Sequence, residues 1–125
     1  MADNSGLDAL KFYKDSIRLW EEFWNDSNVL LKDIRGKEIA IQLTRSIGSI
    51  SANIEEGYGR GYGKEYPRFL KISRGSAQES KGWYKKSKFL LPEKTINDRI
   101  AILDKLIAHL TATISTLYKK QEIES

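Results

Sequence analysis

The sequence predicts an all-α protein, an antiparallel up-down-up-down four-helix bundle. Three observations carry that expectation. Apolar residues recur at steps of three and four, not at alternate positions, along four long stretches. Only two prolines, Pro67 and Pro92, punctuate 125 residues. The breaks between the stretches are short, which favours antiparallel neighbours. A chain of this length has room for one ordinary domain, expected over residues 7–119, with flexible termini at 1–6 and 120–125.

The first helix is expected from about Leu7 to Asp26, with Leu10, Tyr13, Ile17, Trp20 and Trp24 as its inward line and Phe12, Leu19 and Phe23 widening it. The run Asn25-Asp26-Ser27-Asn28 favours turns and caps, so the break is placed there. The second helix is expected from near Gly36 to about Tyr58, carrying Ile39, Leu43, Ile47, Ile50 and Ile54 on one face. Ser46, Gly48, Ser49, Ser51 and Ala52 lie among them. A helix-interior glycine costs about 1 kcal/mol relative to alanine, so Gly48 points to a close helix approach. Four glycines between Gly57 and Gly63 then predict a turn.

Pro67 is tolerated only in a first helical turn, which starts the third helix around Lys64. It should end by Leu91, with an inward line of Tyr66, Phe69, Ser73, Ser76, Ser80, Trp83, Ser87 and Leu90. The fourth helix is expected after a capping cluster at Thr95 to Asp98, continuing to about Tyr118 through Ile100, Leu103, Ile107, Leu110, Ile114 and Leu117. A second row, Ile102, Leu106, His109 and Thr113, makes its apolar arc wide enough to suggest a subunit interface.

The composition removes several kinds of chemistry. There is no cysteine, hence no disulfide or thiolate site, and only one histidine, His109. Leu106 stands where a Glu-x-x-His metal motif would need its glutamate. Glu21-Glu22 and Glu55-Glu56 are adjacent in sequence and point apart on a helix. No catalytic constellation, metal site or cofactor is therefore expected. The absence of a run of about 18 apolar residues, with a short polar start, predicts no membrane span or signal peptide and a cytoplasmic location.

Charge is the informative feature. Of 21 basic and 17 acidic residues, ten basic and three acidic ones fall between Arg60 and Lys94, a net of +7 in a chain of net +4. At about 100° per residue these cations form one outward arc of the third helix. Such an arc suits phosphate or an acidic protein surface, and a solvated helix face is its plainest explanation. The candidate nucleic-acid contacts are Lys64, Arg68, Lys71, Arg74, Lys81, Lys85 and Lys86, with Arg60 and Tyr62 at the edge. Arg45, Asn53, Glu56, Arg74 and Glu79 lie beside small residues and are candidates for a buried polar network.

The run from Arg45 to Arg60 contains Ser49-Ile50-x-x-Asn53-Ile54-x-Glu56-Gly57-x-x-Arg60, and Glu65-Tyr66-x-x-Phe69-Leu70-x-Ile72-Ser73-x-Gly75-Ser76-x-x-Glu79 follows it. These motifs resemble the four helix bundle protein family, also called the 23S rRNA intervening-sequence or S23 ribosomal protein family. Asn53, Glu56, Gly57, Arg60, Gly75, Ser76 and Glu79 fall on the family pattern. Ser73, Pro67 and Gly61-Tyr62-Gly63 depart from it. The resemblance implies a bundle assembling as a ring-shaped homopentamer, without enzymatic activity. The accessory variability determinants of diversity-generating retroelements are similar in fold. That similarity implies RNA or DNA, and a reverse transcriptase, as partners besides further copies of the chain.

Overall fold

The structure is a computed structural model that describes residues 6–61 and 63–124. A 3-10 turn at Gly6–Ala9 leads into four helices: α1 (Lys11–Leu30), α2 (Ile34–Arg60), α3 (Glu65–Lys86) and α4 (Glu93–Glu124). No strand occurs among the described residues. Each helix packs on its neighbours in sequence, and α1 also meets α4, so the four form a square. The cross-links run antiparallel throughout. Tyr13 meets Glu55 and Trp20 meets Gly48 between α1 and α2, and Lys81 meets Asp104 and Arg74 meets Thr111 between α3 and α4.

Helix boundaries differ from expectation where a cap was misplaced. α1 continues through Asn25–Asn28 to Leu30, because Asp26 is drawn into the core and Ser27 bonds the carbonyl of Trp24. The working cap is Asp33, whose carboxylate accepts from the Arg35 amide at 2.8 Å. Gly57 and Gly59 remain helical, and α2 ends only at Gly61, whose φ of 69° provides the left-handed C-cap. α3 stops at Lys86, and α4 starts at Glu93, directly after Pro92 and ahead of the expected cap at Thr95 to Asp98.

The buried line of α1 is Phe12, Ser16, Leu19, Phe23, Asp26 and Leu30. It lies one residue round from the expected line, and Trp24 is left 61% exposed. In α3 the inward line is likewise Leu70, Ser73, Ala77, Ser80 and Tyr84, with Phe69, Ser76 and Trp83 on the flank. In α1 the true inward line carries Ser16 and Asp26, hydrogen-bonded inside the bundle, so apolarity pointed to the richer neighbouring line. In α3 the expected Ser73, Ser80 and Ser87 are buried, and the aromatic residues expected beside them give way to Leu70, Ala77 and Tyr84.

Serines join α2 to α3. Ser46 Oγ and Ser80 Oγ lie 2.8 Å apart, Ser49 Oγ and Ser76 Oγ also 2.8 Å, and Ser73 Oγ donates to the Ile50 carbonyl at 2.8 Å. Gly57 belongs to the same close approach, since a Cβ there would stand 2.8 Å from Phe69 Cβ. Gly48 instead faces Trp20 of α1.

The wide apolar arc of α4 is used inside the bundle. Ile102 and Leu106 are buried within the chain, and His109 meets Phe12 of α1 edge-on at 5.3 Å. By length and composition alone α4 is apolar enough to cross a membrane, with an 18-residue window of mean hydropathy 1.4. Here Leu103, Leu106, Leu110 and Ile114 fill the core.

Candidate nucleic-acid interface

The cations of α3 divide into two clusters. Lys64, Arg68 and Lys71 are exposed at its N-terminal end, and Lys85 and Lys86 are exposed at its C-terminal end. Lys71 and Lys85 stand about 21 Å apart along the axis at 1.5 Å per residue. Arg74 and Lys81 do not join the outward stripe. Arg74 turns to α4 and donates to Thr111 Oγ1 at 3.3 Å, and Lys81 pairs with Asp104 at 2.6 Å, its side chain only 21% exposed. Both lie about 80–100° round the wheel from Lys64, at the border of the core, so their stems pack on α4.

Between the clusters the face carries the exposed Gln78 and Glu79, with Gly75 and Gly82 on either side, and a Cβ at either glycine would meet nothing within 4 Å. Among the described residues no contact requires glycine at these two helical positions, where each costs about 1 kcal/mol relative to alanine.

At the α2–α3 turn, Arg60 and Arg68 share one aromatic ring. Their Cζ atoms lie 5.2 and 4.5 Å from the Phe69 centroid. Each is also paired, Arg60 with Glu56 at 2.9 Å and Arg68 with Glu65 at 3.0 Å. Lys71 Nζ lies 4.7 Å from the Tyr118 ring, and Lys86 Nζ 4.2 Å from that of Trp83. Lys64 and Lys85 have no ion-pair partner among the described residues. Tyr62 lies outside the described residues.

The motif residues are structural in their contacts. Asn53 Nδ2 donates to the carbonyl and to Oγ of Ser49, both at 2.8 Å, and Ser76 completes the link to α3. Glu79 accepts from the Trp83 indole N–H at 3.3 Å. Arg45, Glu56 and Glu79 are exposed, so the expected buried network does not form around them.

The buried polar network lies elsewhere. Tyr84, fully buried in α3, donates to Asp26 Oδ2 at 2.6 Å, and Arg99 of α4 grips the same carboxylate with Nε at 2.8 Å and Nη2 at 3.0 Å. Arg99 Nη1 also reaches Glu22 at 3.0 Å. Burial, followed by the bond to Asp26, pushes the Tyr84 phenol far above its ordinary value. Sequence reasoning assigned Asp26 to a turn. The available signal was its place on the 12-16-19-23-26-30 line. The group links three helices, and all its polar atoms have partners, so it is read as a structural clamp. No cluster of three potential metal ligands occurs among the described residues.

The 23S rRNA-intervening sequence protein family model matches residues 8–112. No curated protein matches the chain. A crystal structure from Bacteroides thetaiotaomicron, described as a protein with unknown function from the S23 ribosomal protein family, superposes with a TM-score of 0.75. It is 18% identical, and the alignment covers 82% of this chain and 97% of that one, which establishes the shared bundle fold. With its Asn53-to-Arg60 and Glu65-to-Glu79 motifs lying inside a match that spans most of its length, the chain belongs to the 23S rRNA-intervening sequence protein family.

Proposed function

We propose that the protein is a non-enzymatic, self-associating bundle of the cytoplasm that binds RNA or DNA through the outer face of α3. One observation carries this reading: exposed Lys64, Arg68 and Lys71 at one end and Lys85 and Lys86 at the other stand on one outward arc of α3, with Glu79 the one acidic side chain exposed between them. A polyanion can lie along that arc while both clusters take its phosphates. Arg60 stands at the edge of the first cluster, and Arg74 and Lys81 support the face from the α3–α4 seam.

The test is fluorescence anisotropy with RNA and DNA over a range of salt. Affinity should fall as salt rises, and Arg68→Glu with Lys71→Glu should weaken binding and lower the salt slope by about 1 to 2. Negligible affinity at low salt, or affinity indifferent to salt, would refute it.

A purely structural oligomer is the second reading, supported by exposed apolar surface along α1 and α2. Trp24 is exposed beside Trp20, with ring centroids 6.0 Å apart, and Ile41 is exposed on α2. A ring of five copies is the assembly this reading adopts. Light scattering that finds oligomers, with no nucleic acid bound at any salt, would favour it.

A further inference from the structure

The α3–α4 turn and the start of α2 meet at one end of the bundle. Phe89 in that turn is 85% exposed, although it sits in the most basic part of the chain. Beside it opens a cavity of about 150 Å³ lined by Arg35, Ile39, Lys86, Phe89 and Leu90. Small-molecule sites usually begin at roughly 300 Å³, so this slot has room for a ring and not for a metabolite.

Its walls have a consistent chemistry. Phe89 supplies a flat aromatic face, Ile39 and Leu90 supply aliphatic surface, and Arg35 and Lys86 add positive charge. Lys88 Nζ lies 5.1 Å from the Phe89 centroid, and Lys85 and Lys94 are exposed on the adjoining segments. Asp33 fixes Arg35 in place through two contacts, Nε to Oδ1 at 2.9 Å and Nη2 to Oδ2 at 2.8 Å.

We propose that this slot accepts one unpaired base of a single-stranded nucleic acid, stacked on Phe89, with the adjoining phosphates held by Lys86, Lys88 and Arg35. The proposal rests on the nucleic-acid reading above and narrows it to unpaired strands at this end. Aromatic side chains set among cations are how single strands are gripped without regard to sequence. A duplex keeps its ring faces stacked internally and offers Phe89 only its backbone. The small size of the slot also suits a base better than an acyl chain, which needs a longer channel.

The test uses labelled single-stranded RNA and DNA of about twelve nucleotides, and blunt duplexes of the same sequence, against wild type and Phe89→Ala, Phe89→Trp and Phe89→Leu. Phe89→Ala should lose about tenfold in single-strand affinity and keep its duplex affinity. Phe89→Trp should retain the wild-type preference, and Phe89→Leu, apolar but not planar, should not. Urea melts of each variant should match wild type, because the side chain is exposed. Unchanged single-strand binding by Phe89→Ala, equal loss for both strand types, or full activity of Phe89→Leu overturns the slot and leaves the α3 face standing. Wild type binding no oligonucleotide overturns both. Phe89-dependent retention on phosphatidylglycerol vesicles, without strand discrimination, assigns this end to lipid and also overturns the slot.

Discussion

Tyr84 of α3 reaches diagonally across the bundle to Asp26 of α1, its hydroxyl 2.6 Å from a carboxylate that Arg99 of α4 holds from another side. Arg99 is only 15% exposed and Asp26 5%, so removing Arg99 strands the Asp26 carboxylate in the interior, and removing Asp26 leaves Arg99 with Glu22 alone. Asp26→Ala or Arg99→Met should each cost about 3 to 5 kcal/mol, and Tyr84→Phe about 1 to 3 kcal/mol, in urea denaturation. The Tyr84→Phe and Asp26→Asn effects should be strongly non-additive in a double-mutant cycle, since both act on one hydrogen bond.

Glycine substitutions should split by position. Gly57→Ala places a Cβ 2.8 Å from Phe69 Cβ and 3.2 Å from the Tyr66 carbonyl, so α3 must move away and stability should fall by about 1 to 3 kcal/mol. Gly75→Ala and Gly82→Ala meet open space and should stabilise the isolated chain by up to about 1 kcal/mol each. If the outer face of α3 at these glycines is a contact surface, these two variants should also weaken nucleic-acid binding or assembly. Thermal melts below the concentration at which the protein associates, paired with anisotropy, separate the two effects.

Alkaline stability should decline from about pH 10. Tyr13 donates to Glu55 at 2.7 Å, and that bond raises its phenol to about 12. Tyr84 is raised further, by burial first. A phenol raised in the folded state stabilises fully below its unfolded value near 10, and that contribution drains away as pH climbs through the folded value. Urea midpoints measured from pH 8 to 12 should fall above pH 10. For Tyr13→Phe the fall between pH 10 and 12 should be shallower.

Self-association should respond to the α1–α2 edge. Trp24→Glu and Ile41→Glu alter exposed side chains, so each monomer should melt as wild type does. Light scattering should show smaller assemblies for both if that edge is the interface. Unchanged mass would move the interface elsewhere.

The fold was legible in the sequence because helical periodicity survives an error of one residue in which line faces inward. The inward line itself was not always legible. In α2 the buried Leu43, Ile47, Ile50 and Ile54 are apolar and were readable directly. In α3 the buried Ser73 and Ser80 stood on the expected line, whereas in α1 the buried line runs through Ser16 and Asp26, whose partners come from other turns or helices. Asp26 looked like a turn former because Arg99 lies 73 positions away and local sequence contains no trace of it. The basic run from Arg60 to Lys94 was legible as charge. That Arg74 and Lys81 face α4 depends on Thr111 and Asp104, which only the packed structure brings near.

The paired hydroxyls of Ser46 with Ser80 and Ser49 with Ser76 act as a vernier between two rods. Smooth aliphatic flanks would let α2 and α3 slide by one turn, about 5.4 Å, at small penalty. Such a slide here would leave at most one serine pair, Ser49 with Ser80 or Ser46 with Ser76, and would take Ser73 from the Ile50 carbonyl. The cationic face of α3 is thus locked at one height relative to the rest of the molecule.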